Sequence, residues 1–168
     1  MNEDSKPENR GSVVVGVDGS AGAQDALRWA LAEARLRNVP LRIVHAWMYG
    51  YTGVPSGALG YLAFSSRGLV SSDLQQAAEQ LLDRATEKLI PAFEGVEVTR
   101  NVVEGTAAEV LIGAATDDDL LVVGSRGHGG FGGLLLGSVS QQCAHHAPCP
   151  VVIVHPPNAP ETESESPI

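Results

Sequence analysis

The stretch GSRGHGGFGGLLLGSV, residues 124–139, is the most informative part of the chain. It follows the apolar run Leu120–Val123, which is typical of a buried strand, and it leads into a helical pattern that begins at Ser138. Glycines let backbone N–H groups approach an anion, and the first turn of a helix adds free N–H groups and the positive end of its dipole. A glycine-rich loop between a strand and a helix therefore indicates a phosphate-binding site.

Strand and helix patterns alternate along the rest of the chain. Apolar runs predict strands at residues 12–18, 41–47, 96–103, 120–123 and 150–155, and periodic apolar positions predict helices at 23–38, 72–89, 107–114 and 138–146. Gly19-Ser20 predicts a turn and a cap before the first helix, and Thr106 with Glu109 predicts a capping box before the third. The alternation predicts an α/β fold, with a parallel sheet, right-handed crossovers and helices on both faces.

Two segments are expected at the edge of the sheet where ligands bind. In open parallel sheets, ligands lie at the carboxyl ends of the strands, beside the point where the strand order reverses. Gly16-Val17-Asp18 follows the first strand, and the loop from Gly124 follows the fourth. The irregular stretch 48–70 is long for a plain connection, so it is either a functional lid or a partly disordered segment.

Three phosphate-binding motifs compete for the glycine loop. Walker A is excluded because no lysine follows Arg126. A GxGxxG pattern is present at Gly127, Gly129 and Gly132, but it follows the fourth strand and does not open directly into a helix, so it lacks the dinucleotide-binding context. The third pattern has two residues between Gly124 and Gly127 and nine between Gly127 and Gly137, which Ser138 follows.

With this third pattern the chain resembles the universal stress protein family, in its ATP-binding branch with the G-2x-G-9x-G-[S/T] motif. The segments VVVGVDGS, VHAW and LLLGSVSQQCAHHAPCPVVIVH add to the resemblance, which covers about residues 12–155. It implies a Rossmann-like fold of the adenine nucleotide alpha hydrolase type. In this fold an open five-stranded parallel sheet has the order 3-2-1-4-5.

The resemblance also implies a set of nucleotide-binding residues. Gly124, Gly127, Gly137 and Ser138 would hold the triphosphate, through backbone N–H groups and the Ser138 hydroxyl. Asp18 would accept hydrogen bonds from ribose hydroxyls, although it could instead cap the first helix. The resemblance assigns little to Arg126 and His128, which would either neutralise phosphate charge or be solvated. The remaining predicted binding residues are Gly16, Val17, Val44, Ser125, Gly129, Val139 and Ser140.

Binding is better supported by these residues than catalysis. Phosphoryl transfer needs a metal-holding group, charge stabilisation and a positioned nucleophile. Asp18 is the one carboxylate near the loop that we expect could hold Mg²⁺. We therefore expect an ATP-binding regulator of a stress response, at most a slow ATPase and with no assigned catalytic residue. The alternatives are a cAMP-binding member of the family, an adenylating ATP pyrophosphatase-like enzyme, whose usual SGG[IVLM]DS-type loop reads GVDGSAG here, and a ligand-free scaffold.

Length and composition limit the class of protein. The chain of 168 residues predicts a single domain at 12–156, with a disordered segment at 1–11 and a disordered acidic tail at 157–168. The net charge of −9 argues against nucleic-acid binding, and the sequence predicts neither a signal peptide nor a membrane segment, so we expect a cytoplasmic location.

Two further expectations concern the end of the domain. Cys143 and Cys149 fit no standard zinc spacing, so we assign no metal site to them. Pro150–His155 would be an exposed edge strand, and the family resemblance implies a homodimer that pairs this strand with its two-fold mate.

Overall fold

The computed structural model describes residues 11–48, 71–127 and 136–156. In chain order the elements are β1 (Val13–Gly16), α1 (Ala21–Arg37), β2 (Leu41–Trp47), α2 (Ser71–Glu87), a 3-10 turn (Ile90–Phe93), β3 (Val98–Glu104), α3 (Ala107–Ala114), β4 (Leu120–Gly124), α4 (Ser138–His146) and β5 (Val151–Val154). Of the segments predicted to be disordered, residues 1–10 and 157–168 lie outside the described residues, as does almost all of the stretch 48–70.

The five strands form one parallel sheet in the order β3-β2-β1-β4-β5, which confirms the expected topology. β1 is central and pairs on one side with β2, Val13 opposite Leu41, and on the other with β4, Val13 opposite Leu120. The chain therefore moves outward from β1 to β3 and then returns to the other side of β1. The reversal point lies between the carboxyl ends of β1 and β4.

Helices cover both faces of the sheet, as the sequence predicts. Side chains alternate along each strand, so Val13 and Val15 join the core beneath α1 and α2. Val14 packs instead in the second core, with residues of α3 and α4 such as Leu111 and Cys143. None of the helices in the described ranges is long and apolar enough to span a membrane.

The element boundaries lie within two residues of the prediction, and two of the differences have a clear physical cause. The helix predicted at 72–89 ends at Glu87 and is followed by the 3-10 turn, which carries Pro91; proline cannot donate an intrahelical hydrogen bond. The third strand begins at Val98 rather than 96, because the N–H of Val96 donates to the carbonyl of Phe93 in a turn (2.9 Å).

The predicted capping box of α3 forms only in part. Thr106 occupies the N-cap position, but its side chain makes no capping hydrogen bond to the helix backbone. Its hydroxyl instead donates to the Glu109 carboxylate, with Oγ1 and Oε2 2.6 Å apart. The two residues of the motif therefore meet each other rather than the backbone N–H groups that a capping box satisfies.

The amino ends of β1 and β4 are joined by a buried carboxylate. The Asp119 side chain accepts hydrogen bonds from the N–H and hydroxyl of Ser12 (2.6 and 2.7 Å) and from those of Thr116 (2.8 and 2.9 Å). Arg42 of β2 adds a charged contact at 3.4 Å. This cluster lies at the end of the sheet opposite the reversal point, so its role is structural.

Candidate functional site

Asp18 lies directly beyond β1, at the reversal point of the sheet. The N–H of Val17 donates to the carbonyl of Val44 (2.9 Å), which extends the parallel pairing one residue past the strand. Gly19 follows with a φ of 85°, a conformation that glycine adopts without strain. Asp18 Oδ1 accepts from the N–H of Ser20 (2.9 Å), and the Ser20 hydroxyl caps α1 by accepting from the N–H of Ala23 (3.1 Å). Ser20 is thus the helix cap, as Gly19-Ser20 predicts, and Asp18 shapes the turn.

Gly127 brings the glycine loop against Asp18. A β-carbon built on Gly127 would overlap Oδ2 of Asp18. Gly127 does not have a positive φ, so a larger residue here would conflict with the position of the Asp18 carboxylate and not with the backbone conformation. The structure therefore brings together the two predicted binding segments, one from β1 and one from β4.

Gly124 allows the same loop to pass close to the start of α1. A β-carbon on Gly124 would lie 2.9 Å from the carbonyl carbon and oxygen of Gly22. Gly22 is also close to the loop, because a β-carbon on Gly22 would lie 2.7 Å from the carbonyl oxygen of Arg126. Real β-carbons do not approach backbone atoms this closely, so both positions need glycine. These contacts hold residues 124–126 against the start of α1.

The N-terminus of α4 differs in part from the prediction. The N–H of Gly137 donates to the carbonyl of Ser125 (2.7 Å), so in this arrangement it is not directed at a ligand. The buried Ser140 hydroxyl contacts the carbonyls of Ser125 (3.2 Å) and Gly137 (2.9 Å). Gly137 and Ser140 thus hold the two ends of the loop together. The N–H groups of Ser138, Val139 and Ser140 belong to the first helical turn and have no intrahelical acceptor.

Ser125 is held by its backbone. Its N–H donates to the carbonyl of Val154 in β5 (2.7 Å), and its side chain is buried. The hydroxyl finds no hydrogen-bond partner among the residues that the structure describes. A buried hydroxyl without a hydrogen-bond partner is uncommon in folded proteins, so the presence of a serine here needs an explanation other than stability.

Four other predicted residues have different placements. Val44 is 1% exposed and packs in the core beneath α3 and α4, so its side chain offers no surface to a ligand. Arg126 is exposed at the end of the described loop. His128 and Gly129 lie outside the described residues.

Two neighbouring cavities, one of which borders Asp18, are absent from the sequence-based prediction. The larger, of about 280 Å³, lies between the first turn of α1 and α2 and is lined by Asp18, Gly19, Gln24, Leu81, Arg84 and Ala85. The smaller, of about 140 Å³, shares Leu81 and is otherwise lined by His45, Trp47, Met48, Leu74, Ala77 and Ala78. The apolar stripe of α2 indicated a core-facing helix, and nothing in its spacing indicated that one end borders a site.

The smaller cavity is aromatic and apolar, and its one buried polar side chain is paired. His45 is 8% exposed, and its Nδ1 lies 2.8 Å from the carbonyl oxygen of Val17. In the described ranges, no group of three or more His, Cys, Asp or Glu side chains is placed to hold a metal ion. The site therefore combines a carboxylate, open helix N–H groups, a polar cavity and an aromatic one.

Comparison with known proteins identifies sequence relatives over most of the chain. Residues 9–155 match the sequence model of the Universal stress protein family. A universal stress protein of Mycobacterium tuberculosis strain H37Rv is 36% identical over 150 residues, which is 85% of this chain and 47% of the relative. One from Mycolicibacterium smegmatis is 31% identical over 159 residues, 93% of this chain and 52% of the relative. The chain thus spans about half the length of the curated relatives it matches.

Solved structures show the same fold. The universal stress protein UspA from Lactobacillus plantarum superposes with a TM-score of 0.66 at 20% identity, over 86% of this chain and 97% of that one. A universal stress protein in complex with cAMP gives 0.62 at 26% identity, over 86% and 97%. One from Archaeoglobus fulgidus in complex with dAMP gives 0.55 at 26% identity, over 85% and 96%.

Proposed function

The chain belongs to the universal stress protein family, and from this premise we propose that it binds ATP and acts as a nucleotide-dependent regulator. The observation that carries the proposal is the contact of Gly127 with Asp18 at the reversal point of the sheet. Nucleotide complexes of two structural neighbours, one with cAMP and one with dAMP, support a nucleotide as the class of ligand.

The residues around the loop fit the parts of a nucleotide. Asp18 would accept hydrogen bonds from ribose hydroxyls, and the first turn of α4, with the Ser138 hydroxyl, would donate to phosphate oxygens. Arg126, exposed beside the loop, adds positive charge. The small aromatic cavity that contains Trp47 would take the apolar faces of the base.

Mg²⁺ is compatible with this arrangement. It commonly binds through one or two carboxylates together with the phosphates of the substrate, and Asp18, which lies next to the loop, is the carboxylate that would take this role if it faced the phosphates instead of the ribose. When bound, the ion would neutralise phosphate charge. Asp18 would hold its position through the Ser20 N–H (2.9 Å).

Regulation fits the site better than efficient catalysis. The loop offers backbone donors, serines and one arginine, without the Walker lysine that most P-loop NTPases use. ATP can regulate the protein only if it binds one conformation more tightly than another. The loop is a suitable element for such a difference, because Asp18 from β1 and the first turn of α4 would contact the same ligand.

A cAMP-binding function is the second candidate. It is favoured by the neighbour in complex with cAMP, which is 26% identical over 86% of this chain. The nine residues between Gly127 and Gly137 favour ATP. The triphosphate of ATP is longer than the cyclic phosphate of cAMP and would reach the first turn of α4.

We also propose that residues 12–156 form one domain that dimerises through Pro150–His155 in the cytoplasm. β5 lies at the edge of the sheet, and all four of its apolar side chains are only partly buried. Pairing with a two-fold mate would cover that edge. Cys143 and Cys149 are free thiols, which suits a reducing compartment. Sedimentation velocity should give twice the monomer mass, and a monomer at high micromolar concentration would contradict the dimer.

The nucleotide content of the purified protein tests the ligand. The protein is denatured, and the released small molecules are separated by chromatography and quantified. A near-stoichiometric ATP or ADP peak supports the proposal, and an empty protein should bind added ATP in a titration. A protein that titrates with cAMP but not with ATP favours the second candidate. Binding of neither would leave a ligand-free scaffold.

A further inference from the structure

His45 presents an unpaired ring nitrogen to the smaller cavity. The side chain is 8% exposed, and its Nδ1 lies 2.8 Å from the carbonyl oxygen of Val17. A carbonyl oxygen can only accept, so Nδ1 carries the hydrogen, and in the neutral ring Nε2 is then an acceptor. No hydrogen bond to Nε2 is found in the part of the chain that the structure describes. His45 is therefore paired through Nδ1, while Nε2 keeps a free lone pair.

The walls of this cavity offer a ligand few other polar atoms. Trp47 lies two residues along β2 from His45, on the same face of the strand, and the residues of α2 that line the cavity are leucines and alanines. The indole N–H of Trp47 only donates. Among the lining side chains that the structure describes, His45 thus supplies the one nitrogen or oxygen acceptor. A hydrogen-bond donor that a ligand brings into the cavity would meet His45.

The His45 ring also contacts the backbone that carries Asp18. Its partner, the Val17 carbonyl, belongs to the peptide group that joins Val17 to Asp18. The volume of the cavity, about 140 Å³, is below the roughly 300–1,000 Å³ of sites for whole small molecules, so it suits one ring system of a larger ligand. Met48 and Ala77 in its wall are exposed, so such a ring system can enter from solvent.

We infer that Nε2 of His45 accepts a hydrogen bond from the exocyclic amino group of the base and thereby selects adenine. The inference rests on the proposed nucleotide function, in which the base enters this cavity. The amino group is the only N–H donor of an adenine that is linked to ribose, so its partner has to be an acceptor. The donor of the base and the acceptor of the cavity are therefore matched.

The contact between His45 and Val17 gives this selectivity its direction. Because Nδ1 holds the hydrogen, Nε2 cannot donate in the neutral ring. A base with a carbonyl oxygen in place of the amino group would bring two lone pairs together. A base with only a hydrogen at that position would leave the buried nitrogen unpaired. Both replacements should weaken binding.

Calorimetric titration near pH 8, at which an ordinary imidazole is neutral, tests the inference with three ligands. They are ATP, purine riboside 5′-triphosphate, which lacks the amino group, and inosine 5′-triphosphate, which has a carbonyl oxygen in its place. Loss of one hydrogen bond typically costs about fivefold in affinity. We therefore expect the wild type to bind ATP at least about fivefold more tightly than either of the other two ligands.

His45→Asn separates the two ring nitrogens. The amide nitrogen of asparagine takes nearly the position of Nδ1, so this variant keeps the contact to Val17 and removes the acceptor. We expect binding of ATP to weaken about fivefold and binding of purine riboside 5′-triphosphate less than twofold, which abolishes the preference. His45→Gln, whose amide oxygen reaches the position of Nε2, should keep part of the preference. His146→Asn makes the same change at an exposed histidine of α4 outside the cavity and should alter neither affinity.

Several results would overturn the inference. Equal weakening of ATP and purine riboside 5′-triphosphate by His45→Asn would show that His45 acts on the structure of the site and not on the amino group. A preference for ATP that survives His45→Asn, or a wild type that binds inosine 5′-triphosphate as tightly as ATP, would also contradict it. A wild-type protein that binds none of the three ligands contradicts the proposed function itself, whereas ATP binding without a preference contradicts only the role of His45.

Discussion

The Asp18 carboxylate lies so close to Gly127 that any side chain at residue 127 would displace it. Asp18 follows the first strand and Gly127 follows the fourth, so the contact joins two segments that are more than a hundred residues apart in sequence. Because β1 and β4 are neighbours, their carboxyl ends bring an acceptor and a glycine loop to one point. The proposed nucleotide site depends on this contact.

The Ser140 hydroxyl should contribute to the stability of the protein, whereas the Ser125 hydroxyl should contribute little. Ser140→Ala removes the buried contacts to the carbonyls of Ser125 and Gly137, and we expect a loss of about 1 kcal/mol in the free energy of unfolding. Ser125→Ala removes a buried hydroxyl with no partner in the described part of the chain, so the change should be within about 0.5 kcal/mol. Urea denaturation measures both, and a larger loss for Ser125→Ala would contradict this assignment.

Asp119 should make the stability of the protein depend on pH in the acid range. Burial raises the pKa of Asp119, but hydrogen bonds from the backbone and side chains of Thr116 and Ser12 outweigh it, so the pKa lies below its ordinary value of 3.8. A lowered folded-state pKa stabilises the protein fully above the unfolded value, and this contribution is lost as the pH falls through the folded value.

Urea unfolding from about pH 2.5 to 5.5 measures the contribution of Asp119. Near pH 5.5 we expect Asp119→Asn to reduce the free energy of unfolding by about 1–3 kcal/mol, and the gap to wild type should shrink below about pH 4. Asp117→Asn, at an exposed neighbour, is the control and should change little. A gap that stays constant down to pH 2.5 would rule out this role of the carboxylate.

The two thiols should be poorly reactive in the folded protein. Burial and the nearby Cys149 raise the pKa of Cys143 to about 11, and burial also raises the pKa of Cys149. At pH 8 a thiol with a pKa near 11 is ionised in about one molecule in a thousand, and only the thiolate reacts. Alkylation followed by peptide mass spectrometry should label the partly exposed Cys149 slowly and Cys143 only after unfolding. Rapid labelling of native Cys143 would contradict its burial.

Much of the fold was predictable because its signals are local. Alternating apolar runs and helical stripes predicted the five strands and four α-helices of the described residues, and Ser138–His146 has the predicted bounds. The role of Gly124 and Gly127 in phosphate binding stays a prediction, and the structure shows that they come close to Gly22 and Asp18. Strand order followed from the family resemblance and is confirmed.

The details of the site depended on tertiary contacts that the sequence does not encode locally. A strand that is buried on both faces has a continuous apolar run, so the sequence does not indicate toward which face Val44 points. The structure places Val44 in the core beneath α3 and α4. The N–H of Gly137 is taken by Ser125, twelve residues earlier. Arg84 looks like an ordinary solvated charge until α2 is placed beside α1, where it lines the cavity with Asp18.

The most direct test of the account is the affinity of Gly127→Val for ATP, measured by calorimetry against the wild type. The valine would displace the Asp18 carboxylate without burdening the core, so we expect binding at least tenfold weaker, about 1.4 kcal/mol, with unfolding little changed. Gly113→Ala is the control, because a β-carbon on this exposed residue of α3 meets nothing within 4 Å. It should bind ATP normally and gain about 0.5–1 kcal/mol in stability. ATP binding by Gly127→Val with wild-type affinity would contradict the central claim that nucleotide binds where Asp18 meets the glycine loop.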